Sequence, residues 1–375
     1  MLEDSRLRAC FEDLPDPRMV KKCDHLLLDI VMIAICATLG NADSWEDMAE
    51  FGRSKEAWFK QWLSLPNGIP SHDTFKRVFE RLDGQAFQSC FGTWVREVFE
   101  ITAGQIIAID GKTARGTCDK LGKAHLQVVS AWASENGLTL AQQKVTDGGN
   151  EISTIPALLD VLILKGCIVT IDAIGCQKAI ARQIRTAQAD YVLMVKQNQP
   201  GLYNYVENCF QSADKLSPLG DYTDYCQTLD RGHGRHEQRQ CWVLSDTRAQ
   251  AMGWQDCQTL VRLLRTRQEG QATSTYTSYY ISTLPPLAAL LLGAIRGHWA
   301  IENSCHWVLD MIFHEDAART RTRHADLNLA LLRKFALNML KQDPRKGSLK
   351  LKRYRASLNE DFLTQVLTSS FNLMR

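Results

Sequence analysis

No Cys-x-x-Cys pair occurs in the sequence, although twelve cysteines run from Cys10 to Cys305. Scattered thiols in apolar stretches argue against a structural zinc site and fit reduced, buried side chains in a cytosol. Long apolar runs are missing too: the longest, Leu26 to Leu39, is interrupted by Asp29. A bilayer span needs about 20 apolar residues, so no membrane partner is expected. Met1-Leu2-Glu3-Asp4 lacks the basic start and oily stretch of an export signal, which predicts a soluble cytoplasmic protein. Bulk charge is also absent. With 44 basic against 42 acidic residues the net charge is +2, so average composition neither demands nor excludes a polyanionic partner. No internal repeat, low-complexity tract or heptad seam stands out.

What is present is a chain of 375 residues, 45% of them hydrophobic, enough for one large core or for two to three smaller domains. Charge is clustered where the average is bland. From Arg319 to Arg355 twelve Lys or Arg stand against only Asp326 and Asp343, the footprint of a phosphate-backbone contact, with a solvated helical surface as the competing reading.

Residues 1–100 read as a helical domain for DNA or partner contacts. Leu26, Ile30, Ile33, Ala34 and Ala37 recur at helical spacing, and Ser71 to Leu82 places Phe75, Val78, Phe79 and Leu82 on one side, opposite Lys76, Arg77 and Arg81. After residue 104 the pattern changes. Gln105 to Asp110 is a short apolar run ending in an acid, and two more strand-like segments follow. A helix over Glu151 to Leu164 precedes a second buried strand, Cys167 to Asp172, again ending in an acid; a helix from Gln177 and a strand at Ala189 to Lys196 complete the order. This predicts an α/β core with a mixed sheet over 101–200, both acids lying at strand carboxyl ends, where open α/β sheets place their sites. Residues 201–283 read as a β-rich insertion, 284–345 return to the core with a helix carrying Glu302, and 346–375 read as a flexible basic segment.

Cutting and rejoining a phosphodiester requires an activated hydroxyl, stabilised charge on phosphorus and support for the leaving oxygen. Two Mg²⁺ ions, with Mn²⁺ as a substitute, supply all three, and carboxylates are their natural ligands. Asp110 is expected to bridge both ions, with Asp172 and Glu302 each completing one site. A lone strand-end Asp is more often a turn or helix cap; the joint placement of these acids is what points to chemistry. In Asp110-Gly111-Lys112-Thr113-Ala114-Arg115 the glycine permits close approach, while Lys112 and Arg115 are suited to a bound phosphate. Cys176, without a neighbouring His, reads as a packed thiol.

From Arg296 to Asp310 the chain predicts a helix on which His298, Glu302, His306 and Asp310 follow at i, i+4 spacing and share a face, enclosed by Trp299, Ile301, Trp307 and Val308. Zinc ligation competes as a reading, but His-Glu-x-x-His is not present, and phosphate binding or orientation of the acid suits His298 and His306 better. Lys196, Arg296, Arg319, Arg321 and Arg323 complete the candidate DNA contacts.

At these residues the chain resembles the H-repeat-associated, Rhs-linked insertion-sequence transposases of the Asp-Asp-Glu class. The resemblance rests on GIPSHDTFKRVFERLD at 68–83, AIDGKTARGT at 108–117, TIDAIGCQKAIA at 170–181, YVLMVKQNQP at 191–200 and RGHWAIENSCHWVLDMIFHEDAARTR at 296–321. It implies a ribonuclease-H-like core and a β-rich insertion before the glutamate helix. It also implies metal-binding roles for Asp110, Asp172 and Glu302, and DNA cleavage and strand transfer at element ends, within a homodimer that pairs two ends of double-stranded DNA. One departure is evident. Where related transposases carry Tyr, Arg and Lys around the glutamate, this helix has Ile295, His298 and Leu309. An inactive or domesticated DNA-binding remnant, or a nuclease of the same fold without joining activity, remains an alternative reading.

Overall fold

Capping residues and apolar spacing divide the first hundred residues into helices. The computed structural model describes residues 5–100, 102–117, 126–146, 148–216, 220–232 and 234–369. It begins with α1 (Arg6–Ala9), α2 (Leu27–Leu39), α3 (Trp45–Ser54), α4 (Glu56–Phe59), α5 (His72–Arg81) and α6 (Gly84–Val98). Ser44 caps α3 in a reciprocal box with Asp47, and Ser71 and Asp83 accept from the first-turn N–H groups of α5 and α6. Helix α5 buries Phe75, Val78 and Phe79 and leaves Lys76, Arg77 and Arg81 in solvent.

The sheet begins with an antiparallel meander of β1 (Ile106–Thr113), β2 (Gln127–Ala133) and β3 (Leu138–Lys144). Helix α7 (Glu151–Asp160) leads to β4 (Ile168–Ile171), which lies parallel to β1, and α8 (Lys178–Thr186) leads to β5 (Asp190–Val195), parallel to β4. Three antiparallel strands followed by two parallel ones, in the order β3-β2-β1-β4-β5, form the ribonuclease-H-like mixed sheet.

The segment expected as a β-rich insertion opens with a helix, α9 (Pro200–Leu216), before β6 (Asp224–Gly232), β7 (Arg235–Ser245), the short α10 (Arg248–Ala251), β8 (Thr259–Glu269) and β9 (Ala272–Ser282). Its strands continue the core sheet. Because β9 pairs antiparallel with β5, the described strands form one nine-stranded sheet ending β5-β9-β8-β7-β6.

Helix α11 (Ala288–His298), a π-helical segment (Glu302–His306) and α12 (Trp307–Ile312) then cross one face of this sheet, with Leu291, Leu292 and Ile295 packed against Ile168, Val192, Val261 and Tyr280. Helix α13 (Ala325–Gln342) is buried on nearly every side. Its Phe335 ring meets those of Phe11, Phe87, Phe91 and Trp94, so the amino-terminal helices and the sheet share one apolar core.

The flexible basic segment expected at the carboxyl end is instead a helical pair, α14 (Leu349–Leu358) and α15 (Glu360–Ser369). Arg353, fully buried, donates to Thr38 O at 3.1 Å, to Asp43 Oδ1 at 2.9 Å and to the Ile312 carbonyl; Lys352 Nζ donates to Leu340 O and Asp343 O at 3.1 and 2.6 Å. Four of the twelve cations in the apparent phosphate footprint are therefore internal wiring, since Arg333 and Lys334 are buried as well. Among the described residues no helix is long and apolar enough to cross a membrane.

Candidate active site

Parallel pairing of β1 with β4 sets Ile109 beside Ile171. The next residue on each strand is an acid, so Asp110 and Asp172 emerge as neighbours at the carboxyl edge. Strand β1 does not end at Asp110, as the sequence predicts, but runs on to Thr113 paired with β2. Both carboxylates are anchored locally. The Gly111 N–H donates to Asp110 Oδ1 at 2.9 Å, and those of Ile174 and Gly175 donate to Asp172 Oδ1 at 3.1 and 3.4 Å.

Glu302 arrives from the helix above. Helix α11 is tied to the sheet by Ser134 Oγ, which donates to Gly297 O at 2.7 Å. The chain then loosens into the π-helical segment, where the Trp307 N–H bonds the Glu302 carbonyl, five residues back. The polar stripe meets the core strands along its length. His298 Nδ1 lies 3.1 Å from Thr170 Oγ1 of β4, His306 Nδ1 lies 3.6 Å from Asp110 Oδ2, and Asp310 Oδ1 accepts from Lys112 Nζ at 2.6 Å. One oxygen each of Asp110 and Glu302 and one nitrogen of His306 lie within 4.8 Å of one another. Ile301 and Val308 flank the stripe from inside, but Trp299 and Trp307, expected to enclose it, are 43% and 57% exposed.

Burial, then Glu302, then Asp172 push the Asp110 pKa up to about 8, with a further push from Glu151 and only partial relief from the Gly111 N–H. Carboxylates that repel one another in a half-dry site fit a divalent cation, which removes the repulsion and accepts their oxygens. Burial, followed by Lys334, Lys112 and His298, drives His306 down to about 3, so its ring is neutral. Burial likewise lowers His298.

Glu151 belongs to this neighbourhood and was missed in the sequence, where it looks like an ordinary first-turn acid. Asn150 caps α7, and Glu151 leans back over β1: a Cβ on Gly111 would lie 2.0 Å from Glu151 Oε1, so only glycine admits this approach. Gln127 Nε2 holds the same oxygen at 3.0 Å. The available signal was an acid opening the helix that follows the third strand, on the edge where the other two emerge.

The expected DNA contacts divide. Lys112 is a correction: it is buried, with Nζ 2.6 Å from Asp310, 3.1 Å from Glu315 and 3.4 Å from Asp316. Burial works against its charge, but these carboxylates outweigh it and raise the pKa, so the ammonium is already fully engaged. His306 is buried, and the half-buried His298 has its Nδ1 engaged by Thr170 Oγ1, so neither is presented as a free phosphate ligand. Arg296 pairs with Asp230 of β6 at 3.1 Å. Arg115, Arg319, Arg321 and Arg323 are exposed on two loops that pack together, where a Cβ on Gly116 would strike the carbonyls of Asp316 and Ala318 at 2.4 and 2.5 Å and Arg321 donates to Gly116 O at 3.2 Å. Lys196 is exposed just past the end of β5.

A ribonuclease-H-like sheet with acids on its first and fourth strands, completed by a glutamate on a returning helix, defines the Asp-Asp-Glu class. Residues 102–339 match the family described as Transposase DDE domain, and residues 8–95 match the family described as DDE_Tnp_1-associated. The chain belongs to the DDE transposases, in the H-repeat-associated group. Two relatives that carry transposase names are YncI of Escherichia coli O157:H7, 39% identical over 96% of this chain and 94% of that one, and the H repeat-associated YhhI of Escherichia coli (strain K12), 34% identical over 98% and 99%. Among solved structures, piggyBac transposase in a synaptic complex with hairpin DNA is similar at a TM-score of 0.45 and 11% identity, over 97% of this chain and 80% of that one.

Proposed function

We propose that this chain cuts DNA at insertion-sequence ends and joins the freed ends to a target, with Asp110, Asp172 and Glu302 as the metal-holding residues. The observation that carries the proposal is the emergence of Asp110 and Asp172 side by side from parallel strands, with Glu302 brought over Asp110 by the α11 arm. Two bound Mg²⁺ ions would activate the attacking hydroxyl and neutralise charge on the phosphorus and leaving oxygen.

The protein's own groups set the geometry. Asp110, central and fixed by the Gly111 N–H, faces both neighbours, and Asp172 and Glu302 stand on either side of it. Lys112 ties β1, two residues beyond Asp110, to the end of the glutamate helix and so holds two of the three acids at a constant separation. Arg115, Arg319, Arg321 and Arg323 grip the DNA backbone beside the acids. The protein works in the cytoplasm as a homodimer, because two element ends must be held together. Asp110→Asn, Asp172→Asn and Glu302→Gln should each abolish Mg²⁺-dependent nicking of DNA carrying the element ends, read on a sequencing gel; undiminished nicking in all three would sink the assignment. A strand-transfer assay on pre-nicked ends separates a transposase from a nuclease that only cuts.

A further inference from the structure

His306 is the unexplained residue of the site. Its ring is 6% exposed, Nε2 is buried without a hydrogen-bond partner, and Nδ1 stops 3.6 Å short of Asp110 Oδ2, beyond hydrogen-bonding distance. An orphaned imidazole inside a protein is costly to keep. One nitrogen of this ring nevertheless shares a 4.8 Å neighbourhood with an oxygen of Asp110 and one of Glu302. Metal–ligand bonds of about 2.0–2.2 Å place donors on one ion roughly 3 Å apart, so a small closure brings all three onto the same ion. The π-helical turn matters here, because it carries both Glu302 and His306 and presents them to the one aspartate.

We infer that His306 is a metal ligand, and that the Asp110–Glu302–His306 site takes a first-row transition dication such as Mn²⁺ in preference to Mg²⁺. The inference rests on the metal-dependent reading above and deepens it. Imidazole is a borderline donor that transition ions accept and Mg²⁺ disfavours, whereas the Asp110–Asp172 side offers only oxygen. The two ion positions are then chemically unlike. His298 is not part of the set, because its Nδ1 already pairs with Thr170.

Pulsed electron paramagnetic resonance of Mn²⁺ on the full-length, chelator-stripped chain tests this without any turnover. The bound ion should show ¹⁴N coupling, which should become ¹⁵N coupling when the wild-type chain is grown on ¹⁵N-histidine. The coupling should vanish in His306→Gln and persist in His298→Gln. Calorimetry should show the ratio of Mn²⁺ to Mg²⁺ affinity falling about tenfold in His306→Gln, the scale on which a lost metal-site contact is felt. Mn²⁺ bound to the wild-type chain without nitrogen coupling, but lost in Asp110→Asn, would leave the metal site standing and overturn the ligand. No Mn²⁺ binding by the wild-type chain would overturn both readings. The labelled wild-type measurement decides the histidine question even where a variant folds poorly.

Discussion

Asp110 and Lys112 sit two residues apart on one face of β1, and burial works against the charge of both, yet their neighbours have opposite consequences for them. The lysine is surrounded by Asp310, Glu315 and Asp316 and stays charged. Replacing it by Met leaves the buried Glu315, and the half-buried Asp310 and Asp316, without their cation, and removing one partner of a buried ion pair costs about 3–5 kcal/mol. Lys112→Met should therefore lower the urea midpoint sharply, whereas a lysine kept for DNA would alter only DNA affinity. The aspartate has repelling neighbours. Its folded pKa of about 8 stands above the ordinary value of 3.8, so the folded, metal-free chain binds a proton that the unfolded chain has released. Its contribution to stability is complete below about pH 4, declines as pH rises towards about 8 and is flat beyond, at no more than about 1.4 kcal/mol per pH unit for one proton. In chelator, Asp110→Asn should melt several degrees above the wild-type chain at pH 8 and together with it near pH 4. Adding a divalent ion at pH 8 should raise the wild-type melting temperature and leave the variant unmoved. Equal melting curves at both pH values would remove the repulsion argument.

The glutamate arm shows what an element adds to its residues. An α-helix interrupted by one π turn holds an extra residue, and such turns persist where they position side chains. Deleting the exposed Asn303 should restore α geometry and change the angular offset of His306 from Glu302, which four residues of π turn now set and three of α-helix would then set. Circular dichroism should then show an unchanged fold while divalent-ion affinity falls at least tenfold; retained affinity would show that the π turn is incidental. The stripe of His298, Glu302, His306 and Asp310 was legible because four polar residues at i, i+4 stand out in an oily segment. The sheet core was legible through its short apolar runs ending in acids. The π turn has no such signal, since hydrogen-bond register leaves no periodicity over five residues. Glu151 was hidden because a first-turn acid is ordinary at a helix start, and its approach to Gly111 depends on a contact between β1 and α7 that no local pattern encodes.

Over the whole molecule, the same ambiguity affects charge. The run from Arg319 to Arg355 reads as one basic patch, but tertiary structure sorts it into two populations. Arg333, Lys334, Lys352 and Arg353 are buried, and Arg353 alone joins α14 to α2, to Asp43 and to the end of the glutamate arm. Arg319, Arg321 and Arg323 remain in solvent, beside Arg115, and Lys346, Lys350 and Arg355 are exposed further along the run. Only the second population can release counterions on meeting DNA, so only it should govern salt dependence. Arg115→Ala, Arg319→Ala and Arg323→Ala should each reduce the slope of log affinity against log salt by about 1 and leave the urea midpoint unchanged. Arg353→Met should do the reverse, destabilising the chain because Asp43 and two carbonyls lose their donor, with the slope preserved in whatever remains folded. If the three exposed variants bind DNA with the wild-type slope, the backbone does not pass over the loops beside Gly116. The path would then have to follow the other exposed cationic surfaces of the core, beginning with Lys196 at the end of β5, one strand beyond Asp172 on the same sheet edge.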